Sequence, residues 1–295
     1  MDSLWPEARR VLKQTLTAEQ FQQWIEPLTV TTLQSGHLVL QAPSRFHYYW
    51  IEEHYLALIQ SSCRMIDSGV QLLLRKPDGQ GKSSKTHRPF IGHIPLTTTF
   101  QTSQTFENYV LASFNRFAFA AAKDVCQDAN AAFNPLFIEG PPGLGKTHLL
   151  HAIGNDWQAN NDDSVAYLSC RNLLVFGPSI PPSPYEALWQ SLGGLKVLLV
   201  DDVHQVPFEG NFQQHLREIF NWCYDVGTRM VFTATRLPHQ IPDLSLGLRS
   251  RLGWGLIVRI QEPDIDGCYQ VIETFLGATK MPTSKEICRY LAEHG

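Results

Sequence analysis

Hydrophobic and polar positions along the chain fall into two regimes separated by a stretch with neither. In the first, "LWPEARRVLKQTL" sets Leu4, Ala8, Val11 and Leu12 at helical spacing, which predicts an amphipathic helix. Thr17 followed by Gln20 is a capping-box pair, opening a second helix with Phe21, Trp24, Ile25 and Leu28 inward. "HLVLQA" (37–42) alternates as a strand between Gly36 and Pro43. Ser44 then starts one long helix through "RFHYYWIEEHYLALIQSSC", and "VQLLLRK" (70–76) closes the unit as a strand. Residues 76–104 lack either period and are rich in Lys, Gly, Ser, Thr, Gln and Pro, which is linker chemistry.

Beyond the linker the pattern changes. "PLFIEG", "SVAYLS" (164–169), "KVLLVDD" (196–202), "RMVFTAT" (229–235) and "LIVRIQ" (256–261) are short, nearly continuous apolar runs. Helical patterns separate them, among them a helix from Lys146 to about Trp157 and "FQQHLREIFNWCYDV" closed by Gly227. Apolar strands alternating with helices predict an α/β fold, a parallel sheet covered by helices on both faces. The expected organisation is an N-terminal interaction domain (1–75), a linker (76–104), a nucleotide-binding core (105–262) and part of a helical lid (263–295).

Composition narrows the class. The chain has 295 residues, is 43% hydrophobic and carries a net charge of −4, so it can bury a core and presents no global basic surface for duplex DNA. The linker holds four basic residues and one acidic one, and it joins two acidic bodies. Six scattered cysteines without a C-x-x-C pair argue against a metal or disulfide framework. With no basic-then-apolar leader and no long apolar run, a soluble cytoplasmic protein without a membrane span is expected.

The chemistry concentrates in "NPLFIEGPPGLGKTHLLHAIGN" (134–155). Gly140, Pro141, Pro142, Gly143, Leu144, Gly145, Lys146 and Thr147 fit G-x-x-x-x-G-K-[ST], between a predicted strand and a predicted helix that continues with His148. Glycines let successive backbone N–H groups turn onto a phosphate chain, and the helix N-terminus adds its dipole. Lys146 is placed to neutralise phosphate charge and Thr147 to ligate Mg²⁺. The competing reading is a tight turn that merely starts a helix. The partner is "VLLVDDVH", a strand that ends in two acids beside the loop. Asp201 is the expected Mg²⁺ holder, through water, and Asp202 the residue that orients or polarises an attacking water. Thr233 and Thr235 end the next strand, where a hydroxyl can meet the γ-phosphate. In "LRSRLGWGL" two arginines lie two apart, on one side if the segment is a strand or loop. They read either as stabilisers of phosphoryl transfer or as a solvated basic patch. His148 and His151 read as helix-face residues, and Ala121 and Ala122 as a closely packed helix beneath a base pocket.

Together these pieces resemble the bacterial replication initiator (DnaA) family of AAA+ ATPases, over nearly the whole chain. "LFIEGPPGLGKTHLLHAIGN" is similar to its Walker A segment, "LLVDDVH" to its Walker B and "RSRLGWGL" to its box VII. The resemblance implies ATP or ADP with Mg²⁺ as cofactors, Arg251 as an arginine finger and the first body as a KH-like domain. There Trp5 would support self-association, and Phe46 would help contact the replicative helicase. It implies head-to-tail self-assembly governed by ATP, with slow hydrolysis as the off step.

Departures from the family pattern bear on partners. The family's sensor II arginine and its helix-turn-helix domain are expected beyond residue 295, so origin DNA is a partner without a recognisable reading element in this chain. Where the family inserts a basic motif for single-stranded DNA, Asn172 to Leu195 contains no Lys or Arg and four prolines. Gly247 replaces a box VII arginine, Thr235 a frequent aspartate, and Gln20 a glutamate used by some members toward helicase. Three readings follow: an initiator; a divergent paralogue that regulates initiation or loads helicase without binding origin DNA; and an unrelated P-loop NTPase.

Overall fold

The computed structural model describes residues 4–34, 37–77, 96–127, 133–161, 164–173, 194–208, 212–278 and 285–294. Backbone packing separates two compact units, one built mainly from the first 89 residues and one mainly from the remainder.

The first unit carries α1 (Leu4–Thr15), α2 (Ala18–Gln20), β1 (Thr29–Gln34), β2 (His37–Gln41), α3 (Arg45–His54), α4 (Leu56–Ile66) and β3 (Gln71–Arg75). Its sheet has the order β1-β2-β3, antiparallel between β1 and β2 and parallel between β2 and β3. The capping box forms as its spacing predicts: the Gln20 N–H donates to Thr17 Oγ1, and the Thr17 N–H donates to Gln20 Oε1. α2 runs on into a π turn, Phe21–Ile25, which brings Phe21, Trp24 and Ile25 into the core. Ser44 caps α3, accepting from the His47 N–H at 3.1 Å. The single long helix expected after it is two helices, because Tyr55 leaves helical geometry at φ −127° and ψ −13°. Strand β1 is also missing from the sequence reading. Its run of "TVTT" is β-branched but lacks the apolar alternation that marks β2.

The second unit is a five-stranded, wholly parallel sheet of order β5-β6-β7-β4-β8. Its strands are β4 (Leu136–Glu139), β5 (Val165–Ser169), β6 (Val197–Asp201), β7 (Arg229–Ala234) and β8 (Leu256–Arg259). Among its helices are α5 (Arg116–Val125), α6 (Lys146–Asn161) and the one-turn α7 (Cys170–Leu173). Of α8 (Phe212–Val226) and α9 (Leu246–Leu252), the stretches Arg217–Gly227 and Ser245–Gly247 group with the first unit and the rest with this one. α10 (Ile265–Ala278) and α11 (Lys285–His294) follow and pack on each other. Leu149, Ile153 and Trp157 of α6 share one core with Leu136, Ile138, Leu199, Val231 and Val258 of the sheet. The alternate strand positions Phe137, Leu198, Val200 and Phe232 are equally buried. Burial on both faces is why these strands read as continuous apolar runs. Gly227 follows α8 at φ +82°, a left-handed stop that glycine takes without strain.

Residues 96–104, assigned to the linker by their composition, belong to this second unit. Thr97 exchanges two backbone hydrogen bonds with Tyr167 of β5, at 2.9 and 2.8 Å. Phe100 is buried in the core and lies over Gly154, where a Cβ would come within 2.2 Å of the ring. Glycine in a helix interior costs about 1 kcal/mol relative to alanine, and this contact is the reason for it here. The polar face of α6 holds the same segment: Asn155 Nδ2 donates to the carbonyls of Gln101 and Gln104, and Gln158 Nε2 to that of Thr98, each at 2.8 Å. The segment reads as linker because, Phe100 apart, its anchors are backbone groups, which composition does not report.

Among the described residues no helix is long and apolar enough to cross a membrane. The segment from Asn172 to Leu195, singled out for its lack of cations, lies largely outside the described residues.

Candidate functional site

The site is built where β4, β6 and β7 end on one edge of the sheet. β4 passes into the glycine loop at Gly140, and α6 begins at Lys146. Gly143 and Gly145 adopt φ of +80° and +82°, and at Gly145 a Cβ would meet the Tyr109 ring at 2.8 Å. Only glycine allows both the turn and the approach. Lys146 is 6% exposed, and its Nζ donates to the carbonyls of Gly140 and Pro141 at 2.7 Å each. Burial lowers its pKa, opposed by the nearby carboxylates of Asp202, Asp201 and Glu139. Glu139, the last residue of β4, is itself paired with Arg259 of β8 at 2.6 Å.

Asp201 is the centre of the arrangement. It is 4% exposed and accepts hydrogen bonds from three hydroxyls and one backbone N–H. Thr147 Oγ1 and Tyr167 OH both donate to Oδ2 at 2.8 Å. Thr233 Oγ1 and the Asp202 N–H donate to Oδ1. The Asp202 N–H also lies 3.0 Å from Thr233 Oγ1. A buried carboxylate costs several kcal/mol in desolvation unless donors replace its water, and here four groups from four segments do so. Burial and the Asp201 carboxylate together push the Tyr167 phenol above its ordinary range, so it stays a neutral donor.

Asp202 departs from strand geometry at φ 53° and ψ 45°, a left-handed conformation that few non-glycine residues adopt, aspartate and asparagine more readily than most. Its Oδ2 accepts from Arg171 at 3.3 Å and from Gln205 at 3.2 Å. Its Oδ1 lies 3.9 Å from His204 Nδ1. Burial lowers the His204 pKa, opposed by Asp202. Nδ1 of His204 also accepts from the Thr235 N–H at 3.4 Å.

The structure therefore brings together Lys146, Thr147, Asp201, Asp202 and Thr233, with Thr235 at the rim behind His204. His148 and His151 face residues 97–105: His148 Nε2 lies 2.8 Å from the Thr105 carbonyl, and His151 Nδ1 accepts from the Gln101 N–H at 3.4 Å. Arg251 is elsewhere. Its segment is helical, and two residues on a helix are about 200° apart, so Arg249 and Arg251 do not share the side that a strand or loop would give them. Arg251 is 2% exposed, while Arg249 is half-buried and donates to the Leu244 carbonyl at 3.0 Å. In the first unit Trp5 and Phe46 are both buried; Phe46 packs with Trp24 and Trp50 at ring distances of 6.2 and 5.8 Å. The sequence reading missed Tyr167. The available signal was strand parity, since Val165, Tyr167 and Ser169 share a side of β5 and Ser169 pairs with Asp201.

Among the described residues no group of three or more His, Cys, Asp or Glu side chains is arranged to hold a metal. Magnesium takes one or two carboxylates and keeps water and phosphate oxygens for its other positions. One hydroxyl and one carboxylate 2.8 Å apart at the foot of a phosphate cradle are such a donor set.

A parallel sheet of this order, with a glycine loop after one strand and paired acids after another, defines a P-loop nucleotide-binding protein of the AAA+ kind. Two family models match: the bacterial DnaA ATPase domain over residues 100–259, and the DnaA N-terminal domain over residues 2–65. The chain belongs to the DnaA family. A chromosomal replication initiator from Geotalea uraniireducens is 30% identical over 310 residues, covering 99% of this chain and 69% of that protein. The AMPPCP-bound DnaA of Aquifex aeolicus superposes with a TM-score of 0.58 at 27% identity, over 66% of this chain and 62% of that one. A replication initiator DnaA bound to AMPPCP and single-stranded DNA does so with 0.55 at 26% identity, over 66% and 61%.

Proposed function

We propose that this chain is an ATP-governed initiator of chromosomal replication, in which the Asp201 cluster holds magnesium–triphosphate and nucleotide state controls assembly. The observation that carries the proposal is the hydrogen bond from Thr147 to Asp201, which ties the glycine loop to the paired acids in a chain of the DnaA family. Relatives of known structure bind an ATP analogue at their own sites.

In this reading the N–H groups from Gly143 to His148 receive the phosphate oxygens. Lys146 exchanges its two loop carbonyls for phosphate. Thr147 would hold Mg²⁺ through its hydroxyl oxygen, beside Asp201. Magnesium neutralises phosphate charge; the chain supplies orientation. Asp202, held by Arg171 and Gln205, orients the attacking water, and Thr233 fixes both acids. Hydrolysis is slow and acts as the off step of the switch.

Assembly is head to tail, with Arg251 completing the nucleotide site of the next subunit. Because Arg251 is buried in the single chain, that contact requires its side chain to swing outward. Head-to-tail contacts give filaments where the rotation between subunits does not close a ring. The first unit supplies interaction surfaces toward helicase and toward a second copy. For Trp5 and Phe46 to take part, their buried rings must become accessible. Light scattering tests the proposal: ATP raises the molecular mass, ADP does not, and Arg251→Ala abolishes the rise. An equal mass with either nucleotide overturns it.

A second reading, a paralogue that controls initiation without gripping DNA, draws on the cation-free segment from Asn172 to Leu195. Binding of a single strand rests largely on phosphate neutralisation by Lys and Arg. Filter binding with single-stranded DNA at low salt separates the two: ATP-dependent retention supports the initiator, and its absence the paralogue.

A further inference from the structure

We propose that Tyr167 is a positioning residue for magnesium, fixing the Asp201 carboxylate so that Thr147 is free to serve the metal. The inference rests on the nucleotide reading above.

Asp201 Oδ2 accepts from two hydroxyls, those of Thr147 and Tyr167. Their circumstances differ. Thr147 opens a helix at the phosphate cradle and must present a lone pair to the metal. Tyr167 lies on β5, where its phenol donates to Asp201 Oδ2 and also meets the Ser169 side chain. If Thr147 were the only donor to Oδ2, any shift of its hydroxyl toward the metal would leave a buried carboxylate oxygen bare. Tyr167 removes that conflict.

The phenol is held from every side. Its ring stacks on His151 at 4.9 Å with 24° between planes, and Phe100 meets it edge-on at 6.5 Å. Phe100 also meets the His151 ring edge-on at 5.9 Å. The backbone of Tyr167 is bound in both directions to Thr97. A side chain fixed this way delivers its hydroxyl with little loss of freedom when the ligand arrives. That distinguishes orientation of a metal-binding group from simple filling of space.

A phenylalanine keeps the ring and its packing and removes only the donor. The test is calorimetric titration of the full chain with ATP, in buffer with Mg²⁺ and in buffer with EDTA, for the native protein and Tyr167→Phe. Outer-sphere partners of metal sites are worth about 10–100-fold in metal affinity. The expected result is that Tyr167→Phe keeps the metal-free ATP affinity, unfolds at a somewhat lower temperature because a buried acceptor loses a donor, and loses about 10–100-fold of the affinity measured with magnesium. Mn²⁺ in place of Mg²⁺, followed by electron paramagnetic resonance, should show the same weakening of metal retention.

Equal magnesium dependence in the two proteins overturns the inference. So does an equal loss in both buffers, which would mean that the hydroxyl serves only the fold. If the native chain takes up no ATP in either buffer, the nucleotide reading itself fails, and this inference with it.

Discussion

The two units bury different kinds of side chain. In the first, Trp24 stacks on Trp50 at 4.9 Å and tilts against Phe46 at 6.2 Å, and the buried polar groups serve the backbone: Ser44 caps α3, and His47 Nε2 meets the Trp24 carbonyl at 2.9 Å. In the second, the sheet edge buries Lys146, whose Nζ donates to two loop carbonyls, and Asp201, whose carboxylate accepts from the side chains of Thr147, Tyr167 and Thr233. Aromatic packing is what a fold needs for stability. A buried ionic network adds little net stability over apolar packing of the same volume, and this one is gathered where the parallel strands end. The comparison locates chemistry in the second unit without reference to any motif.

Three perturbations sharpen this contrast. Trp24→Ala removes the centre of the aromatic core and should cost the first unit about 3–5 kcal/mol, as large core truncations do. Denaturant unfolding followed by tryptophan fluorescence reads that loss, while ATP affinity is unchanged. A parallel fall in ATP affinity would mean that the units do not divide structure from chemistry. Thr233→Val deletes the hydroxyl shared by Asp201 and the Asp202 N–H. With a buried acceptor left short of a donor, the expected loss is about 1–3 kcal/mol, read by thermal unfolding and accompanied by slower ATP hydrolysis. The same change at Thr235, on the rim, should do less.

Acidification gives the smallest effect. Burial lowers the pKa of His151 and of His204 below the ordinary 6.5. Between that value and the lower folded one, the unfolded chain binds more protons than the folded chain. Stability therefore falls as pH drops through this window and is level above it. Urea unfolding from pH 7.5 to 5.5 should show the decline, and His151→Phe should reduce it.

Much of this was legible in the sequence for identifiable reasons. The five strands of the second unit announce themselves because burial on both faces makes each a continuous apolar run. Lys146, Thr147, Asp201 and Asp202 are legible because a loop and a strand end confine them within a few residues. Three features were not. The break at Tyr55 follows no proline or glycine, so periodicity runs through it unchanged. The helical state of the segment holding Arg249 and Arg251 is hidden by its short length and by Gly247, a poor helix former. Tyr167 meets Asp201 across 34 positions, through strand pairing that local pattern does not encode.

The central claim is that the loop ending at Thr147 and the acids at the end of β6 receive one triphosphate with its magnesium. Calorimetric titration of the chain with ATP and Mg²⁺, beside Lys146→Ala, tests it most directly. The account predicts saturable uptake at one site by the native chain and a loss of at least about 100-fold in the variant, whose loop lacks its cation. Absence of uptake by the native chain, or undiminished uptake by Lys146→Ala, would contradict it.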